Sequence, residues 1–209
     1  MEQTYDVIIV GAGPAGMFAS LELVKTNPTL KVALFDMGSR IENRNENEVM
    51  SGCGGAGTYS DGKLHFTPKL SHERTFHLIK PEDYQQILNE IDETFMSFGV
   101  TSEEYPKNRY DVEMMIEEAQ RQDIELIVRR TKHVGTDNLK NVMKKFQDEL
   151  ENKGVLLFDN TEIEDICVEN GRITGIKTNK GIFHANKILI APGRVKARWF
   201  QDICSKYNI

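Results

Sequence analysis

At 209 residues the chain can form one large domain or one domain with an insertion, and 39% hydrophobic with 28% charged residues is an ordinary soluble globular composition. A net charge of −6 without a lysine- or arginine-rich block leaves no nucleic-acid footprint. No apolar run approaches the roughly 20 residues of a membrane-spanning helix.

The apolar run at the start is short and broken by Asp6, so no secretory leader is expected. Cys53, Cys167 and Cys204 form no CxxC pair and no disulfide framework, which fits a reducing, cytoplasmic setting. The histidines are scattered without zinc-type spacing, so no metal site is expected.

In chain order, Tyr5 to Val10 reads as a buried parallel strand, apolar on both faces and rich in β-branched residues. Pro14 to Lys25 reads as a helix with Met17, Phe18, Leu21 and Val24 on one stripe, and Lys31 to Asp36 as a second buried strand. Strand, glycine turn, helix and strand in succession make a right-handed βαβ unit. Ile41 to Pro68 is a long glycine-rich, polar stretch, and such loops are usually functional.

Helices are expected over Glu82 to Phe98, with the stripe Tyr84, Ile87, Leu88, Ile91, Phe95 and Phe98, and over Asp111 to Gln122. A strand is expected at "IELIVRR" (124–130). Asp137 to Asn152 reads as an amphipathic helix burying Leu139, Val142, Met143, Phe146 and Leu150. "GVLLFDN" then reads as a strand. "TEIEDICVE", "RITGIKT" and "GIFHA", joined by NG and NKG turns, read as a three-stranded meander. "KILIAPGR" reads as a separate buried strand ending in a Pro-Gly turn.

Gly11, Gly13 and Gly16 satisfy G-x-G-x-x-G between a strand and a helix. The first permits the turn, the second lets a pyrophosphate approach the backbone, and the third lets helix and strand pack closely. Pro14 suits the first helical turn, where no N–H bond is lost, and with Ala15 it opens the helix whose N-terminus favours phosphate. Asp36 ends the second strand twenty residues after Gly16, where a carboxylate accepts hydrogen bonds from a ribose diol. These residues point to an adenine dinucleotide, and the acid alone does not separate FAD from NAD(P).

"GAGPAG" followed by "DMGSR" resembles the entry motif of the glutathione-reductase-like, two-dinucleotide-binding flavoproteins, where it holds the ADP half of FAD. The segment 160–181 resembles that group's β-meander, in which the position of Ile163 gives a backbone contact to adenine. "KILIAPGR" resembles its strand ending in Ala-Thr-Gly, with Ala191, Pro192 and Gly193 at the cofactor and a departure at the proline. More narrowly, "SGCGGAGTYSDGKLHFTP", "HVGTDNL" and "APGR…WF" resemble the bacterial predicted FAD-dependent, NAD(FAD)-utilising dehydrogenases. In that family the position of Cys53 is often aromatic, and Cys53 has no second cysteine close by, so a packed thiol is expected rather than a redox one.

The resemblance implies an α/β, Rossmann-like FAD-binding domain made of a parallel sheet, helices and a three-stranded meander, with a mainly helical insertion. It places the FAD/NAD(P)-binding domain at 1–68 and 133–209 and the inserted part of a substrate domain at 69–132. It also implies the N-terminal part of a longer FAD-dependent oxidoreductase acting on a small-molecule substrate, with NAD(P) as a further electron donor or acceptor. The cofactor set then includes Met37 and Arg40 beside Asp36, and Gly54, Gly55, Ala56, Gly57, Thr58, Ser60 and Asp61 in the glycine box. Lys63 reads either as a cation near the flavin or as a solvated lysine, and His133 as a cofactor or substrate contact or a structural histidine. Arg44 reads as a weaker phosphate contact than Arg40. The other functional readings are an NAD(P)-dependent dehydrogenase and a non-catalytic dinucleotide-binding module.

Overall fold

A computed structural model describes residues 4–67 and 79–209. In chain order these form β1 (Thr4–Val10), α1 (Pro14–Thr26), β2 (Val32–Phe35), β3 (Lys63–His65), α2 (Pro81–Ser97), β4 (Glu104–Tyr105) and α3 (Arg109–Gln120). There follow β5 (Thr131–His133), α4 (Thr136–Asn152), β6 (Leu156–Phe158), β7 (Ile163–Glu169), β8 (Arg172–Thr178), β9 (Gly181–Ile190) and α5 (Ala197–Tyr207). The chain divides into two compact units, residues 1–60 with 143–209 and residues 61–142. The border expected at residue 69 lies outside the described residues.

The first unit is built on one six-stranded sheet in the order β6-β2-β1-β9-β8-β7. β1 runs parallel to β2 and β9, and β2 parallel to β6, while β7, β8 and β9 form an antiparallel meander. The α/β class, the parallel sheet and the meander therefore stand as the sequence implied. The last strand differs. "GIFHA" and "KILI" are one continuous strand, β9, because no Gly or Pro interrupts His184 to Ile190. Its first half pairs with β8 and it also pairs with β1 from His184 onward, fusing meander and parallel sheet. Its second half is not buried: Leu189 is 43% exposed.

One face of this sheet packs Ile8, Val10, Ala33 and Phe35 with Ile163, Ile176 and Ala185. Phe158 stacks on Phe35 at 4.6 Å between centroids, and Phe183 meets Phe35 edge-on at 4.9 Å. Full burial of each such side chain contributes about 1.5–3 kcal/mol. Met17, Leu21 and Val24 of α1 are buried as their spacing required, and so are Met143, Phe146 and Leu150 of α4. Phe18 meets Phe146 edge-on at 5.0 Å, joining the two helices.

The second unit holds α2, α3 and a small antiparallel sheet in the order β3-β5-β4. α2 buries Leu88 and Phe95, while Ile87 of the expected stripe is exposed. Beside Phe66, buried at 2% exposure, the Lys132 ammonium meets the Asp92 carboxylate at 2.6 and 2.9 Å. Arg130 donates to Asn89 at 2.8 Å, to Asp92 at 3.3 Å and to Glu104. The strand expected at 124–130 does not form among the described residues: the Phe66 N–H donates to Arg130 O at 2.8 Å, while Ile124 and Ile127 face solvent. Apolar, β-branched composition favours a strand, but a strand forms only where another offers its backbone groups. Among the described residues the ladder runs from Thr131 to His133.

Candidate cofactor site

Register builds the site. Val10 stands opposite both Phe35 and Ile190, so Gly11, Asp36 and Ala191 leave the sheet side by side at its carboxyl edge. In open α/β sheets this edge is where ligands bind. The Gly11 N–H donates to Phe35 O at 2.7 Å, and the Ala191 N–H to Val10 O at 2.8 Å, which fixes the turns against one another. A methyl group on Gly16 would lie 1.9 Å from Gly11 O and 3.2 Å from the Ile9 side chain, so close helix–strand contact requires glycine there. α1 begins at Pro14 with no side-chain cap and no acidic residue in its first turn. Its N-terminal N–H groups and positive dipole end are thus left for an anion.

Asp36 is 8% exposed, and its carboxylate binds three backbone segments together. Oδ2 accepts the Ala12 N–H at 2.8 Å, and Oδ1 accepts the Gly38 and Gly52 N–H groups at 2.9 and 2.8 Å. The acid expected to face a ribose therefore first ties the phosphate turn to the glycine box. A second bond does the same, from the Gly54 N–H to Ala12 O at 2.9 Å. Gly55 has φ +74° and ψ −175°, and a methyl there would lie 2.8 Å from Pro14 Cδ. The two glycine loops back directly onto each other.

The box is braced from behind by Arg44, a residue the sequence reading placed second to Arg40. Arg44 is 6% exposed and its guanidinium donates to the carbonyls of Glu48, Val49, Gly52, Cys53 and Gly55 at 2.6 to 3.5 Å. Its planar group lies 4.4 Å from the Tyr59 ring, and the Tyr59 hydroxyl donates to Arg44 O at 2.9 Å. Tyr59 thereby closes the loop. Burial lowers the Arg44 pKa, opposed by the nearby Tyr59 and Asp36. No spacing rule marks such a residue, because its partners are carbonyls that every sequence possesses. Arg40 is bound by Glu151 at 2.6 Å and Asp159 at 3.4 Å. Burial lowers its pKa, but those two carboxylates outweigh that and hold it above the ordinary value.

Two adjoining clefts open at the carboxyl edge. One, of about 600 Å³ including solvent-open space, is walled by Gly11, Gly13, Pro14, Asp36, Met37 and the segments 50–52, 55–56 and 191–195. The other, of about 350 Å³, shares Gly11, Asp36, Met37 and Pro192 and adds Val10, Phe35, Ile163, Lys196 and Trp199. Residues nominated from five separate stretches of sequence converge here. Ala15, Arg40, Gly54, Gly57, Thr58 and Ser60 are not in these walls. Thr58 is fully buried and its hydroxyl donates to Gly54 O at 3.1 Å, closing the turn from behind. Cys53 is 1% exposed; burial, and then the charge of Asp36, push its thiol pKa far up, so it is no redox nucleophile. Arg194, Lys196 and Trp199 were not foreseen.

Asp61, Lys63 and His133 belong to the second unit. Lys63 and His133 stand directly opposite each other on β3 and β5, both exposed, with Asp61 3.6 Å from the Lys63 ammonium. His133 ends β5, shortly before α4 begins at Thr136. His65 meets the Thr131 hydroxyl at 2.9 Å on the same pair of strands. No cluster of metal-binding side chains occurs among the described residues.

The edge suits a dinucleotide by a direct criterion. A methyl on Gly13 would meet only Gly55 Cα, at 3.9 Å, so protein packing does not require glycine there and the space beyond is the larger cleft. A glycine turn with an open wall, an uncapped helix and an acid-tied second loop define a dinucleotide-binding α/β domain. The FAD binding domain family matches residues 6–207, and the chain belongs to that family; FAD is its cofactor.

A protein of Clostridium beijerinckii, described only as uncharacterized, is 25% identical over 200 residues, covering 89% of this chain and 30% of its own length. The chain thus spans under a third of that relative. Among solved structures, glycine oxidase from Bacillus cereus superposes with TM-score 0.58 at 20% identity, covering 97% of this chain and 58% of its own. L-proline dehydrogenase from P. horikoshii superposes with TM-score 0.59 at 16% identity, covering 100% and 57%. Both likenesses are of fold. No helix among the described residues is long and apolar enough to cross a membrane.

Proposed function

We propose that the chain is the cofactor-gripping portion of an FAD-dependent oxidoreductase that acts on a small molecule in the cytoplasm. The open wall at Gly13, facing the cleft beside an uncapped helix, carries this reading. In it Gly11, Gly13, Pro14, Ala15 and Gly16 receive the diphosphate, Asp36 and Met37 the ribose, and the Ile163 backbone the adenine. Gly54, Gly55, Ala56, Gly57, Thr58 and Ser60 shape the loop that follows, and Ala191, Pro192 and Gly193 form the opposite wall. Arg40 serves the fold, since Glu151 and Asp159 hold its guanidinium. Residues 61–142 belong to the substrate side, with Lys63 and His133 as its proposed exposed polar pair.

When bound, FAD supplies reversible hydride or electron transfer, while the protein binds, orients and tunes it. The family match and the oxidase and dehydrogenase names of the similar folds support the redox assignment. Visible spectra of the purified chain and of any longer parent, with and without added FAD, test it. Bound flavin that NADH or NADPH reduces, or that a substrate reduces anaerobically, supports an oxidoreductase. A colourless protein that gains no flavin absorbance but binds NAD(P) overturns the reading in favour of an NAD(P)-dependent dehydrogenase. Flavin binding without turnover in the complete protein favours a non-catalytic module.

A further inference from the structure

A dinucleotide diphosphate is an anion, and the two arginines nearest the acidic strand end are both committed elsewhere. Arg40 is held by Glu151 and Asp159, and Arg44 by five backbone carbonyls. Arg194 is the one Lys or Arg in the wall of the larger cleft, which it shares with Gly11, Gly13 and Pro14. Asp36 is the one carboxylate there, and three backbone N–H groups already engage it. Among the described residues the exposed Arg194 side chain makes no ion pair or hydrogen bond.

Its backbone, by contrast, is fixed. The Ala191 N–H is bonded to Val10 O, Ala191 O sits where a side chain on Gly11 would stand, and Arg194 O accepts from the Ala197 N–H at the start of α5. Lys196, in the neighbouring cleft, is taken by Glu162. A cation on a fixed turn, lining one cleft with an uncapped helix N-terminus and without a counter-ion among the described residues, is the arrangement expected of an anion contact.

Resting on the FAD reading, we propose that Arg194 binds the cofactor's diphosphate and makes the site discriminate nucleoside diphosphates from the nucleoside. The chain has a single tryptophan, Trp199, in the adjoining cleft, so its fluorescence reports occupancy without any turnover. The 209-residue protein and its R194Q and R194K variants are titrated with FAD, ADP and adenosine, with calorimetry as a second measure. R194Q should weaken FAD and ADP about tenfold and leave adenosine unchanged, since one charge-assisted contact is lost. The difference between R194Q and wild type should shrink as salt rises, and R194K should keep most of the affinity.

ADP binding that is unchanged in R194Q, or adenosine weakened equally, overturns the role of Arg194 and leaves the FAD reading standing. Wild-type protein that binds neither FAD nor ADP overturns both. Because the side chain is exposed and free, R194Q should melt with the wild type. If it does not fold, R194K decides: the salt dependence of its ADP affinity must match the wild type's.

Discussion

The carboxylate of Asp36 accepts the Gly52 N–H at 2.8 Å, so the acid that ends β2 also holds a loop sixteen residues further along. The same group accepts from Ala12 and Gly38. In Asp36→Asn an NH2 replaces one oxygen and sets donor against donor at one or more of these bonds. Unfolding in urea should show a loss of about 2–3 kcal/mol. FAD titration should show at least tenfold weaker binding, because the phosphate turn and the glycine box lose their common anchor.

Gly13 and Gly55 separate binding from folding. Gly13→Val places its side chain in the open cleft, where a methyl's nearest neighbour is Gly55 Cα at 3.9 Å. It should abolish FAD binding with little change in melting temperature. Gly55→Ala requires φ +74° with ψ −175° and meets Pro14 Cδ at 2.8 Å. It should cost about 2–3 kcal/mol of stability even without cofactor.

Arg44→Met removes the donor to five carbonyls in a buried site. The expected loss is about 3 kcal/mol or more in equilibrium unfolding, with the 44–59 segment becoming protease-sensitive first. Arg44→Lys should recover little, because one ammonium cannot span the positions that the planar fork reaches.

Cys53 should resist iodoacetamide in the native protein at pH 8 and react on unfolding, since burial, followed by the charge of Asp36, raises its pKa. The sign of the pH effect follows. A folded-state pKa above the unfolded value of about 8.5 gives a contribution present below that pH and lost as pH rises above it. Wild-type unfolding free energy should therefore fall above about pH 8.5, and the fall should be shallower in Cys53→Ala.

In the second unit, Asp92→Ala leaves the Lys132 ammonium buried without its carboxylate. Removing one partner of such a pair costs about 3–5 kcal/mol. Hydrogen exchange should show loosened protection in β3, β4 and β5 while β1 and β2 stay protected.

Much of the first unit was legible because its signals are local. Parallel strands buried on both faces read as apolar runs, and the α1 and α4 stripes follow helical period, so Met17, Leu21, Met143 and Phe146 could be placed inside unaided. The failures share one cause. Ile124 to Arg130 has strand composition but no partner strand among the described residues, and β9 continues through residues that read as two elements. Whether backbone groups find partners is not a property of the segment itself. Residue type does not separate Arg40 from Arg44 either: both follow an acidic strand end, and only the path of the chain decides which meets carboxylates and which meets carbonyls.

The sequence by itself determined the glycine turn, its helix, the trailing acid and the class of ligand, because each depends on residue types at short separations. Only the tertiary structure decided that Asp36 is shared among three backbone segments, that the two glycine loops interlock at Gly13 and Gly55, and that Arg194 is, among the described residues, the free cation at the cleft. Those facts depend on strand register, which brings Gly11, Asp36 and Ala191 together from distant parts of the chain.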